Sequence, residues 1–201
     1  MLLPSPAPAP ALRSVLAALG SPTAVSEART PALRSHQGPL SPELPLPVHV
    51  WDVREPAAPP APAPRTRLTA WRFLIRGTER AVAAGDAVLT PDGWSFSHFF
   101  EGPYLAATER ALAQAESLPG TYQPRLISVP DLYMLTLWLH GDTAADGADG
   151  VPDPSDLLIP LAPAPPGIAS HRPYRVADLL PVLTLRLAPA APLFGSTAPA
   201  A

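Results

Sequence analysis

An α+β fold is the class this sequence predicts, and three stretches carry the prediction. The first is Arg125–His140, RLISVPDLYMLTLWLH, the longest nearly uncharged run of the chain. The second is Leu68–Arg76, where Trp71, Phe73 and Ile75 alternate with Arg72, Leu74 and Arg76 in the period of a strand. The third is a helical pattern from Pro103 to Leu118, with Leu105, Thr108, Leu112 and Ala115 on one face. Together they predict a small, mostly antiparallel sheet from about 70–76, 125–139 and 156–162, packed on a helix at about 103–118.

Proline sets the expected boundaries. Of 31 prolines, fifteen fall in residues 1–66 and only eight in 67–162. Each fixes φ and removes a backbone donor, so a dense run of them opposes both helix and central strand. Residues 1–66 therefore read as a disordered Pro/Ala-rich arm, 67–187 as a single α+β domain and 188–201 as a disordered tail. Two apolar islands interrupt the arm. In 11–20, Leu12, Val15, Leu16 and Leu19 recur at helical spacing before Gly20. In 47–53, Val48 and Val50 alternate with His49 and Trp51, as an added edge strand would. The proline-rich stretch before Arg65 reads as a semi-rigid spacer.

The remaining elements follow in order. Residues 78–89 read as a helix with Thr78 as its cap, with a strand as the alternative. Thr90–Gly93, TPDG, is a turn. Pro103 suits the first helical position, and Pro119-Gly120 stops the helix. Pro130 divides the central run into strands at 125–129 and 132–139. In the second, Leu132, Met134, Thr136 and Trp138 share one face and Tyr133, Leu135, Leu137 and Leu139 the other. Both faces are apolar, which predicts burial on both sides; a buried helix fits the same pattern. Residues 141–155 form a long acidic loop, read as a solvated linker between antiparallel neighbours. Tyr174–Leu187 reads as a helix kinked at Pro181.

Composition removes several chemistries. The chain has no Cys, so it offers no disulfide, thiolate nucleophile or sulfur metal site. It has no Lys, so no Schiff base or phosphate-loop lysine. A net charge of −3 disfavours a phosphate-backbone binder, so no nucleic acid is expected. No apolar window is long enough for a membrane span. The expectation is a cytoplasmic protein without cofactor or metal.

Three places offer candidate chemistry. The aromatic stretch WSFSHFF suggests a cleft lined by Trp94, Phe96, Phe99 and Tyr104, with His98 and Glu101 as an acid–base pair at i, i+3. His140, at a strand exit beside Asp142, is the third candidate acid–base group, placed to meet His98 across a cleft. The acidic loop places Asp142, Asp146 and Gly147 like the start of a calcium loop, but Ala144 and Asp153 break that pattern. Arg125, Arg172 and Arg175 read as surface arginines. The preferred function is a non-enzymatic protein-interaction or accessory module, with a protein partner docking through the N-terminal arm. The alternative is a small-molecule-binding protein or enzyme built on the cleft around His98 and Glu101.

Overall fold

The computed structural model describes residues 1–51, 66–78 and 80–187. It is α+β. In chain order the elements are α1 (Ala9–Leu19), α2 (Pro22–Glu27), α3 (Pro31–Ser35), β1 (Ser41–Trp51), β2 (Thr66–Arg76), β3 (Ala81–Thr90), β4 (Gly93–Phe100), α4 (Pro103–Glu116), β5 (Gln123–Val129), β6 (Met134–His140), β7 (Leu157–Pro160), β8 (Tyr174–Arg175) and α5 (Val176–Leu187). The strands form one eight-stranded sheet in the order β4-β3-β2-β1-β5-β6-β7-β8. Every pairing is antiparallel except that of β1 with β5, which runs parallel through Val48–Val50.

The N-terminal segment is not a disordered arm. Residues 1–35 carry three helices, and the first buries Ala11, Val15 and Ala18. An isolated helix of this length is marginal in water. Here α1 packs on β2, β3 and β4, sharing a cluster with Trp71, Phe73, Ile75, Ala83 and Phe99. Of the expected stripe only Val15 is fully buried; Leu12 and Leu19 pack at the margin and Leu16 is exposed. Position 85 shows how close the layers come. A Cβ there would sit 3.1 Å from the Phe99 ring and 3.4 Å from Val15 Cγ1, so Gly85 admits both.

The second island is a strand, yet a central one rather than an edge. Its prolines fall where they do least harm. Pro42, Pro45 and Pro47 lie in the part of β1 that pairs only with β2, and the parallel pairing with β5 begins after them, at Val48. Pro45 sits inside a register shift between Glu43 and Leu46, beside Leu44 at φ 50°. The spacer that follows and the tail at 188–201 lie outside the described residues.

Residues 81–90 form the strand β3, not the helix that the Thr78 cap suggests. The stretch is rich in Ala, a good helix former, but its placement between β2 and β4 overrides that propensity. TPDG then closes the hairpin, pairing Thr90 with Gly93. The expected helix is α4, which buries Leu105, Ala107, Thr108, Ala111, Leu112 and Ala115.

The central run folds as two paired strands, β5 and β6, in register from Gln123–His140 to Val129–Met134. A turn of 3-10 helix at Pro130–Leu132 joins them. Strand β6 therefore starts at Met134, later than the alternation implies. Tyr133 takes φ 50° in the connection and is 89% exposed, against the expectation that it is buried. From Met134 onward all seven residues are buried. Leu135, Leu137 and Leu139 join the α4 layer. Met134 and Trp138 join Ile127, Leu158, Leu179 and Leu183 beneath α5. Across the acidic loop, β7 pairs antiparallel with β6 from Leu139–Leu157 to Thr136–Pro160. Pro160 lies past the short reach of β8, which pairs only Leu157 and Leu158, so its missing donor costs no ladder bond there.

Candidate functional site

The two faces of the sheet differ in the middle. On the α4 face one apolar cluster runs unbroken from β3 to β7. On the other face two apolar clusters, under α1 and under α5, are separate. A polar group lies between them: His49 on β1, Gln123 and Arg125 on β5, His140 on β6, and Asp156 just before β7, all buried. Pairing explains why they meet. Arg125 stands opposite Trp138, and Gln123 opposite His140, so side chains two apart on each strand share one face.

Arg125 is fully buried and makes no ion pair among the described residues. Its Nε donates to Gln123 Oε1 at 2.7 Å, one terminal nitrogen donates to the Asp146 carbonyl at 3.0 Å, and the other to the Asp149 carbonyl. The guanidinium also lies 4.6 Å from the centre of the Trp138 ring. Burial lowers its pKa, while the carboxylates of Asp149, Asp156, Asp146 and Asp142 act in the opposite sense. The surface-arginine expectation is thus wrong for this residue. Its donors serve the acidic loop, whose backbone carbonyls they cap.

Other buried groups grip the same loop. His49 Nε2 donates to the Gly147 carbonyl at 3.0 Å, and Gln123 Nε2 donates to the Ala145 carbonyl at 2.8 Å. The Thr66 amide donates to the Gly150 carbonyl at 2.7 Å. Burial pulls the His49 pKa down from 6.5 to about 4, against the effect of its bond to Gly147. The loop's two glycines permit the close approach. A Cβ at 147 would meet Ser5 Oγ at 2.8 Å and the Trp71 ring at 2.9 Å; one at 150 would meet the Thr66 carbonyl oxygen at 2.1 Å. The loop is therefore anchored at several points, although most of its residues face solvent.

Asp156 ties the two ends of the loop together. Its Oδ2 accepts from Trp138 Nε1 at 2.7 Å, His140 Nδ1 at 2.7 Å and the Asp153 amide at 3.0 Å, and its Oδ1 accepts from the Gly141 amide at 2.9 Å. Burial alone would raise this carboxyl's pKa, but the four donors outweigh it and hold the group ionised, below the usual value. His140 thus has Asp156 as its carboxylate partner, rather than the adjacent Asp142. The bond places a proton on Nδ1, facing Asp156. No hydrogen bond to Nε2 exists among the described residues.

His140 and Asp156 form part of the wall of an open recess of about 540 Å³, together with Asp142, Asp149, Asp153 and Ser155. Each loop aspartate also shapes its own turn. The Oδ1 atoms of Asp142, Asp146, Asp149 and Asp153 accept from the amides of Ala144, Ala148, Val151 and Ser155, two residues on. Among the described residues no group of three or more side chains could hold a metal ion.

The aromatic stretch lies elsewhere. His98 is exposed on the edge strand β4, with Ser97 Oγ 2.9 Å from its Nδ1. Glu101 accepts from the Ala32 amide at 3.2 Å, at the start of α3. Phe99 is buried beneath α1, with Trp94 and Phe96 packed against the same cluster. Tyr104 donates to the Tyr133 carbonyl at 2.7 Å. Four strands separate β4 from β6, a distance of about 24 Å at normal strand spacing, so His98 does not meet His140.

The sequence reading reached His140 but missed His49, Gln123, Arg125 and Asp156 as a set. A signal was present: Gln123 and Arg125 sit two apart on one face of a strand, and His140 lies two beyond Trp138 in the next. Polar residues at strand period on a buried face require partners. No protein-family model, curated protein or solved structure matches this chain.

Proposed function

We propose that this chain is a non-enzymatic protein-interaction module whose recognition surface is the ordered loop 141–155. One observation carries the reading: the buried guanidinium of Arg125 is bound to loop carbonyls rather than to a carboxylate. Burying an arginine is expensive, and a well-packed apolar side chain in its place is often neutral or stabilising. What Arg125 provides is a fixed loop conformation. Loops of this length without regular structure are uncommon in compact folds unless they act as binding or active-site segments. A rigid sheet that positions an acidic loop suits recognition of a basic partner surface. Of the apolar positions of α1 that suggest a docking arm, Leu12, Val15 and Leu19 pack within the fold and Leu16 is exposed, so this reading turns to the loop.

The test is a peptide-display selection on the full chain, counter-selected on Arg125→Met. Enriched peptides whose amide-shift footprint covers 141–155 support the reading. Footprints confined to other surfaces, or equal recovery on the variant, overturn it.

A further inference from the structure

His49 is a buried titratable group whose titration the interaction reading does not use. It is 0% exposed, and both ring nitrogens are hydrogen-bonded. A carbonyl can only accept, so the Nε2 that faces the Gly147 carbonyl at 3.0 Å carries a proton. The Thr66 hydroxyl lies 3.0 Å from Nδ1 and 3.0 Å from the Gly150 carbonyl. With the ring neutral, that hydroxyl donates to the bare Nδ1. A second proton on the ring turns it, so that it accepts from Nδ1 and donates to Gly150. The same atoms stay bonded in both states, and what the second proton adds is a buried charge.

That charge is poorly placed. The His49 ring meets the Trp138 ring edge-on with centroids 5.4 Å apart, and the Arg125 guanidinium lies 4.6 Å from the centre of the same indole. Burial opposes a charge on His49 most, and Arg125 and His140 oppose it too; the bond to Gly147 and the Asp149 carboxylate favour it. Asp156 is already engaged by four donors. The loop closes over the ring at Gly147 and over its Thr66 partner at Gly150, so lifting the loop lets water reach the ring.

We propose that His49 is an acid-operated latch: its second proton releases residues 141–155 from the sheet while β5 and β6 stay paired. The latch stands whether or not the loop recognises a partner. Under the loop the ring has a pKa of about 4, against an ordinary 6.5 once hydrated. The contribution to closure is therefore complete above about pH 6.5 and is lost as pH falls to about 4. The closed-to-open ratio falls by about 20-fold from pH 7 to pH 5 and by about 300-fold in all. Asp153 and Asp156, both held below the usual carboxylate value, stay ionised across that window.

The experiment is amide hydrogen exchange on the full chain at pH 7 and pH 5, read as protection relative to the unfolded rate at each pH. The Thr66 amide, bonded to the Gly150 carbonyl at 2.7 Å, reports the loop, and the amides of β5 and β6 report the strands. Thr66 protection is expected to fall about 20-fold at the lower pH, with the strands unchanged. His49→Gln keeps a side-chain donor for Gly147 but does not titrate, so its Thr66 protection should be the same at both pH values. The imidazole signals of His49 in the natural sequence should titrate with a midpoint well below 6.5, a reading that needs no variant. Equal Thr66 protection at both pH values, or a His49 midpoint at 6.5 or above, would overturn the latch. So would a fall that His49→Gln retains, which would assign it to His140, or a fall shared by β5 and β6, which is unfolding of the sheet.

Discussion

Strand β6 offers two faces for comparison. On one, Leu135, Leu137 and Leu139 meet α4 in an apolar cluster, and the buried Thr108 of α4 satisfies its hydroxyl on its own helix, at the Tyr104 carbonyl. On the other, Met134 and Trp138 share their side with Thr136 and His140, and the cluster ends where Asp156, Arg125 and His49 begin. The first face is explained by removal of apolar area from water. The second gives up some of that gain to bury charge and hydrogen-bonding capacity, and what those groups hold is the loop 141–155. The α4 face stabilises the sheet; the opposite face decides where one loop stands.

Substitutions can break this contrast, and the largest effect belongs to the polar face. Asp156→Ala removes the acceptor of four donors, two of which, on Trp138 and His140, stay buried. A loss of about 3–5 kcal/mol is expected in urea denaturation, as for other broken buried charge networks. Leu137→Ala on the α4 face is expected to cost about 2–5 kcal/mol by cavity formation, with the loop's amide shifts unchanged. If Leu137→Ala disturbs the loop as much as Asp156→Ala does, the two faces are not separable.

The pH dependence of stability sharpens the same contrast. Folding holds the His49 pKa near 4, below its ordinary 6.5, so the unfolded chain takes up that proton first as pH falls. Stability from His49 is thus complete above about pH 6.5 and declines as pH falls to about 4. The shift corresponds to about 3 kcal/mol in all. His49→Gln should flatten this slope in denaturation curves recorded across the window; an unaltered slope would assign it to another group. Below that window the depressed Asp156 carboxyl takes over, because its stabilisation is lost as it protonates. The smallest effect lies on neither face. Tyr133 is exposed with φ 50°, so Tyr133→Gly should be neutral or stabilise by up to about 1 kcal/mol in the same assay.

The fold was legible where one signal dominated. Trp71, Phe73 and Ile75 show strand period and α4 has an amphipathic face begun at Pro103, and both form as their patterns predict; the buried run of β6 forms a strand too, but from Met134 onward. The pairing of β6 with β7 across the acidic loop was legible too. The failures come from tertiary contacts that local rules do not contain. Prolines at 42, 45 and 47 hide a central strand because the sequence does not show which side of β1 lacks a partner. The Ala-rich stretch 81–90 resembles a helix until Gly85 is seen against Phe99 and Val15. Helical spacing marked α1 in residues 11–20, but not the sheet that supports it, and α2 and α3 are too short to show a period. For the candidate site, proximity in sequence pointed from His140 to Asp142, whereas the hydrogen bond runs to Asp156, at the far end of the loop.

The central claim is that Arg125 and its neighbours hold residues 141–155 in one conformation. The most direct measurement is backbone ¹⁵N relaxation of the full chain and of Arg125→Met. The account predicts order parameters near 0.85 through the loop in the natural sequence. In the variant they should fall below about 0.6 in that loop alone, with β5 and β6 unchanged. A loop already flexible in the natural sequence, or equally rigid in the variant, would contradict it.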